Sequence, residues 1–266
     1  MLPADTLKDR VAVITGGSSG LGLAMADYFG RIGASVAITG RSEERLQAAA
    51  AHLQERGVEV FTVSMDVRHP DQVDATLAAV LGKFGQVDIL VNNAAGNFVV
   101  PAQDLSINGW NAVINIVLNG TFYCSRAFGK HWISTGRPGS ILNIVATYAW
   151  TGGPGTVHSA SAKAGVLAMT RTLAVEWAPH RIRVNAIAPG PIDKTGGADH
   201  LWPTEEAAER LLAHIPVGRF GEPEEVAHAA AYLVSDYAGF ITGECLVMDG
   251  GAWLGRNLFT ERTPRR

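Results

Sequence analysis

A short run of β-branched and apolar residues, Val11–Thr15 (VAVIT), passes directly into GGSSGLG, and an amphipathic segment over residues 21–29 follows. A strand that meets a glycine turn and then a helix has few uses. Glycine permits the sharp turn and keeps side chains away from the amides at the helix N-terminus, where the macrodipole favours an anion. The expectation is the phosphate-binding turn of a dinucleotide fold, with Gly16, Gly17, Ser18, Ser19, Gly20, Leu21 and Gly22 as candidate cofactor contacts.

The alternation then repeats. Residues 35–39, 58–65, 87–92, 140–145 and 183–188 read as strands, with Cys245–Met248 as the last; residues 43–56, 71–84, 111–132, 161–177 and 224–235 read as helices. Regular βα alternation specifies a parallel sheet with right-handed crossovers and helices on both faces. The expected fold is α/β: one doubly wound Rossmann domain over residues 1–266, with seven parallel strands and no linker. One stretch breaks the rhythm. Residues 189–203, PGPIDKTGGADHLWP, lead from a strand end into a short helix at 205–213. Ligands of such sheets bind at the carboxyl ends of strands, so residues at about 190–215 are a candidate substrate lid, an ordinary surface loop being the other reading.

Composition narrows the class. The chain has 266 residues, 47% hydrophobic, with a formal charge of −3, which offers no basic surplus for nucleic acid. No apolar run approaches the length of about 18 residues that would span a membrane. About nine residues precede the first strand, and ERTPRR at the other end lacks a peroxisomal tripeptide, so a cytoplasmic protein is expected. Cys124 and Cys245 have no metal or disulfide spacing and read as reduced packing residues.

At the end of the second strand a dinucleotide fold meets the adenosine ribose, and the residue there separates NAD from NADP. Here the order is Thr39, Gly40, Arg41, Ser42. A guanidinium in place of Asp or Glu suits a 2′-phosphate, which gives NADP(H) as the expected cofactor. The alternative is a solvated Arg41 paired with Glu43 or Glu44.

Residues 145–165, VATYAWTGGPGTVHSASAKAG, place Tyr148 after a strand and Lys163 fifteen residues later in a run of small residues. Taken alone they read as a buried tyrosine and a surface lysine sooner than as an acid pair.

Together these residues resemble the short-chain dehydrogenase/reductase superfamily over nearly the whole chain. Thr15, Gly16, Gly20 and Gly22 match its TGxxxGxG turn, Asp66 and Val67 its adenine-contacting pair, and NNAAG from Asn92 its sheet-stabilising motif; Asn119, Lys163, Pro189 and Gly190 fall in register. The resemblance implies cofactor contacts at Asp66, Val67, Asn92, Ala94, Lys163, Pro189, Gly190 and Ile192. The ordinary family signature is YxxxK with a serine thirteen residues before the tyrosine. In this chain the tyrosine slot is Ser159 and the serine slot is Ala146. Either the chain is a pseudoenzyme or its acid lies elsewhere. NNAAGNF, VLNGTF, TYAWTG, SASAKAG and APGPI resemble the short-chain 2,4-dienoyl-CoA reductases, bacterial members above all. In that family an asparagine, a displaced tyrosine, a serine and a lysine form the site, which falls here on Asn97, Tyr148, Ser159 and Lys163.

That resemblance implies NADPH-dependent reduction of an acyl-CoA thioester, hydride arriving at C5, and Tyr148 and Asn97 donating to the thioester oxygen. Lys163 would hold the nicotinamide ribose and Ser159 the thioester or the Tyr148 hydroxyl. Arg68, Phe98 and Ser106 match acyl-CoA contacts, and His200 stands at the basic position of the lid. Asn119 would interrupt its helix. The family is usually tetrameric, so a homotetramer is expected, with Gly250 to Gly255 a segment able to cross an interface. Asn97 and Ser159 also read as helix caps, and Arg68 as a surface arginine.

Overall fold

The computed structural model describes residues 2–193 and 204–254. Seven strands form one parallel sheet in the order β3-β2-β1-β4-β5-β6-β7: β1 Val11–Thr15, β2 Ser35–Gly40, β3 Val60–Ser64, β4 Ile89–Asn92, β5 Gly139–Ile144, β6 Ile182–Pro189 and β7 Cys245–Met248. The expected fold class is the one observed. The order reverses at β1, between β2 and β4, so the carboxyl ends of these strands open a crevice there.

Strands buried on both faces read as continuous apolar runs, and every residue of β1 and of β4 is buried. Side chains alternate across the sheet. Ala12, Ile14, Val36 and Ile38 face one core with Met25 and Phe29 of α1 (Gly20–Arg31), Leu46 of α2 (Glu43–Glu55) and Val226 and Ala230 of a late helix, Pro223–Val234. Val11, Val13, Ala37 and Leu90 face the other, with Val80 of α3 (Pro70–Phe84) and Phe128 and Trp132 of α5 (Gly120–Thr135).

The helix expected over 111–132 is composite. An α-helix, α4, covers Ile107–Ile114, a π-turn covers Asn115–Asn119, and α5 continues from Gly120. Asn119 Nδ2 donates to Asn115 Oδ1 at 2.8 Å across the widened turn. Such turns are frequent at functional sites. The sequence pattern, built on a period of 3.6, carries no mark of the extra residue. Tyr148 lies in a short helix, α6 (Tyr148–Thr151), and α7 spans Val157–Trp177, starting four residues before the expected 161. A helix, α8 (Glu205–Leu212), lies within the expected lid region, and α9 (Pro223–Val234) follows it. Part of the expected lid, residues 194–203 with His200, lies outside the described residues. Cys124 and Cys245 are free thiols. Among the described residues no helix is long and apolar enough to cross a membrane, and no His, Cys, Asp and Glu cluster is arranged to hold a metal.

Candidate active site

Two groups of residues meet at the carboxyl ends of the strands. The first lines a cleft of about 460 Å3 formed by Gly16, Ser18, Ser19, Gly20, Leu21, Arg41, Asp66, Val67 and Ala94, all expected there. Gly16 and Gly20 take left-handed φ values of 64° and 52°, open to glycine at little cost. Ser19 is the N-cap of α1 but its side chain does not cap, which leaves the first amides of the helix for an anion. Thr15 ties this loop to the NNAAG segment: its Oγ1 accepts from the amides of Asn93 and Ala94 at 2.9 and 3.0 Å.

Other expected contacts sit behind the cleft. A Cβ on Gly22 would fall 2.3 Å from the Gly16 carbonyl oxygen, and one on Gly17 would fall 2.8 Å from Ile38. Both glycines allow close packing beneath the loop. Asn92 is buried in the sheet, where its Nδ2 donates to Ser125 Oγ and Asn143 Oδ1. The Pro189, Gly190 and Ile192 segment follows β6, with Ile192 bridged to Gly221. The cleft also contains Thr39, Gly40, Ser42, Arg45, Met65, Asn93, Ala95 and Ile116, which were not among the expected cofactor contacts. Arg45 is the informative omission. It follows Arg41 by four residues, and a start of α2 capped by the Ser42 hydroxyl at 3.3 Å aims both cations at the cleft wall. Among the described residues neither arginine is held in an ion pair, with Glu43 or Glu44 or any other carboxylate. The loop, the uncapped helix start and two cations with no acidic residue at the end of β2 fit a phosphorylated dinucleotide.

The second group gathers around α6 and α7. The Tyr148 and Ser159 hydroxyls are hydrogen-bonded at 3.0 Å, and Ser159 is the third residue of α7, inside the helix and no N-cap. Burial raises the Tyr148 pKa, an effect partly offset by the Ser159 hydrogen bond, so the phenol stays protonated well beyond neutral pH. Lys163, one turn further along α7, is buried and donates from Nζ to the Ile144 carbonyl at 2.5 Å. Its burial pushes the ammonium pKa down to about 8.

Asn97 lies in the loop after β4. Its Oδ1 accepts from the Phe98 amide at 2.9 Å, while Nδ2 is buried with no acceptor among the described residues. The loop is fixed to the glycine turn after α6 by Val100 N donating to Gly155 O at 2.9 Å. Phe98 packs edge-on to His158, ring centroids 4.4 Å apart, and against the position of Gly109 near Ser106, whose hydroxyl caps α4. His158 is fully buried and held neutral by desolvation. Arg68 stands apart from these residues. Its guanidinium is engaged by Asp66, with Nε 2.9 and 3.0 Å from the two carboxylate oxygens, and the arginine lowers the Asp66 pKa in turn. The described residues thus include two neutral donors, the Tyr148 hydroxyl and the unpaired Asn97 amide, and a buried ammonium on α7.

A family model described as Enoyl-(Acyl carrier protein) reductase matches residues 16–252. A Bacillus subtilis protein named "Probable 2,4-dienoyl-CoA reductase [(2E)-enoyl-CoA-producing]" is 51% identical over 93% of this chain and 98% of its own. A Danio rerio protein named peroxisomal 2,4-dienoyl-CoA reductase, (3E)-enoyl-CoA-producing, is 43% identical over 94% of this chain and 83% of its own. A solved short chain dehydrogenase from Bacillus anthracis is 54% identical with a TM-score of 0.88, covering 97% of this chain and 100% of that one.

Proposed function

The chain belongs to the short-chain dehydrogenase/reductase superfamily, an oxidoreductase family that uses a nicotinamide cofactor, and from that premise we propose that it is an NADPH-dependent 2,4-dienoyl-CoA reductase. The observation that carries this reading is the 3.0 Å contact of the Tyr148 hydroxyl with Ser159, the residue standing where an ordinary ketoreductase has its tyrosine. A phenol entering from α6 would move the hydroxyl donor off the usual carbonyl position, held at Ser159, one helical turn before Lys163. The names of the relatives support the same substrate class.

The residues divide the work. Gly16, Ser18, Ser19 and Gly20 would hold the pyrophosphate, Arg41 and Arg45 the 2′-phosphate, and Lys163 the nicotinamide ribose. When bound, the nicotinamide supplies a hydride for C5 of the diene. Negative charge then moves through the conjugated system onto the thioester oxygen, where Tyr148 and Asn97 are the donors that meet it. The raised pKa of Tyr148 keeps its proton on the phenol, so it stabilises the dienolate by hydrogen bonding. Lys163, an ammonium below pH about 8, adds positive charge nearby. Solvent then supplies a proton to C2, which leaves a C3–C4 double bond and a 3-enoyl-CoA. Phe98 and Ser106 would line the acyl-CoA path; Arg68 is tied to Asp66 and would reach a CoA phosphate only by leaving it.

One observation favours a second product. The Bacillus subtilis relative is named for a 2-enoyl product, which requires the proton at C4. Assembly as a homotetramer in the cytoplasm, serving unsaturated fatty-acid β-oxidation, belongs to the same proposal. Phe122 on α5 and Val175 on α7, exposed by 46% and 79%, support self-association.

NADPH oxidation with hexadienoyl-CoA tests the reading. Tyr148→Phe and Asn97→Ala should each lower kcat by about 10² or more, with NADPH binding retained. Turnover in D2O places deuterium at C2 for the 3-enoyl product and at C4 for the 2-enoyl product. A wild type that binds NADPH and leaves the dienoyl-CoA unchanged would sink the proposal.

A further inference from the structure

Tyr148 and Trp150 are two residues apart on α6, about 200° around a helix of 3.6 residues per turn, so they face opposite sides. The Tyr148 side meets Ser159. The Trp150 side meets Trp253, ring centroids 5.7 Å apart and planes at 88°, the edge-to-face arrangement that aromatic pairs favour. Trp253 is placed with care. It lies in the turn after β7, whose amides at Gly251 and Trp253 donate to the two oxygens of the buried Asp249 at 2.9 and 2.8 Å. Gly250 and Gly251 supply the left-handed φ values of 63° and 83° that the turn needs. Asp249 in turn is pressed against Gly190: a Cβ there would fall 2.5 Å from the Asp249 Cβ, and Gly190 N donates to the Met248 carbonyl.

A continuous set of contacts therefore runs from Gly190, after β6, through Asp249 and the turn to Trp253, Trp150 and the helix of Tyr148. We propose that Trp253 is a positioning residue for the reaction: the turn after β7 clamps the outer side of α6 and so holds the Tyr148 hydroxyl at Ser159. The inference rests on the reductase reading for its catalytic consequence. A four-residue helix has little stability of its own, because nucleation is unfavourable and few internal hydrogen bonds follow. α6 is bounded on its far side by the turn 152–155, Gly-Gly-Pro-Gly, in which Pro154 supplies the one side chain. Tertiary contacts must hold it, and the tryptophan pair is the aromatic contact on its outer side. Both rings stay partly exposed, 37% for Trp150 and 40% for Trp253, so the pair contributes little to the buried core and its loss should be felt locally.

Hydrogen exchange and kinetics on the full chain test this. Trp253→Ala should speed exchange of the α6 amides, Ala149 to Gly152, which donate to carbonyls of 146–148, by about threefold to tenfold, the worth of one aromatic pair. Turnover of hexadienoyl-CoA should fall by a similar factor, the Kd for NADPH should not move, and Trp253→Phe should restore most of both. Unchanged α6 exchange in Trp253→Ala overturns the proposal. So does faster exchange with kcat unchanged, or exchange that rises equally across the sheet, which would mark a role in the fold alone. Exchange is read without substrate. A wild type inert toward dienoyl-CoA would therefore sink the reductase reading, while the α6 amides still decided the clamp.

Discussion

Lys163 is the charged group whose burial can be weighed most directly. Its ammonium pKa is pushed from 10.5 down to about 8 in the folded chain by desolvation, and the unfolded chain returns it to the ordinary value. The unfolded state therefore binds the proton more tightly, so folding is penalised wherever the lysine must be charged in both states. That penalty is complete below pH about 8 and is relieved as pH rises from there to about 10.5. At about 1.36 kcal/mol for each tenfold change in proton affinity, it amounts to roughly 3 kcal/mol at pH 7, falling to about 1 at pH 10. Lys163→Met removes the ionisable group at nearly constant length. Urea denaturation of both proteins at pH 7 and pH 10 isolates the effect, since every other titration is shared. The stability of Lys163→Met relative to wild type should be about 2 to 3 kcal/mol more favourable at pH 7 than at pH 10. Parallel changes in the two proteins would refute the reasoning, because Lys163 would then titrate like an exposed lysine. The same group predicts an alkaline limb in kcat/KM near pH 8, absent from the turnover that Lys163→Met retains.

Two further outcomes follow from the cleft. Arg41→Ala combined with Arg45→Ala should weaken NADPH by about 10² or more, since each charge-assisted hydrogen bond is worth about 1.5 to 3 kcal/mol; NADH should be nearly unaffected, and equal losses for the two cofactors would remove the 2′-phosphate assignment. Gly22→Ala would drive a Cβ to 2.3 Å from the rigid Gly16 carbonyl, so destabilisation near the upper end of the overpacking range, about 3 kcal/mol, is expected in denaturation; a loss below about 0.5 kcal/mol would show that the loop yields freely.

The phosphate turn, the sheet and its two-sided cover were legible because each rests on a local pattern. A glycine spacing or an apolar run is complete within a dozen residues. Arg41 was legible for the same reason, standing at a defined strand end. Arg45 was not, because only the wrapping of α2 onto the cleft shows which of its charges faces inward. The π-turn at Asn115–Asn119 escaped because a single added residue hardly disturbs the helical period. Arg68 stood out in the sequence only through the resemblance, and its pairing with Asp66 became visible only in the structure.

The sequence alone determined the parallel fold, the dinucleotide turn and the presence of Asn97, Tyr148, Ser159 and Lys163, since residue type and spacing are local properties. Only the tertiary structure decided how those four are arranged: that Tyr148 meets Ser159 from a separate short helix, that Lys163 is buried against Ile144, and that the Asn97 amide keeps a donor unspent. The reason is that periodicity states which face of an element turns inward but not which partner it meets there. Partners such as Trp150 and Trp253 are set when distant segments pack, and desolvation, which separates a buried ammonium from an exposed one, exists only after they have.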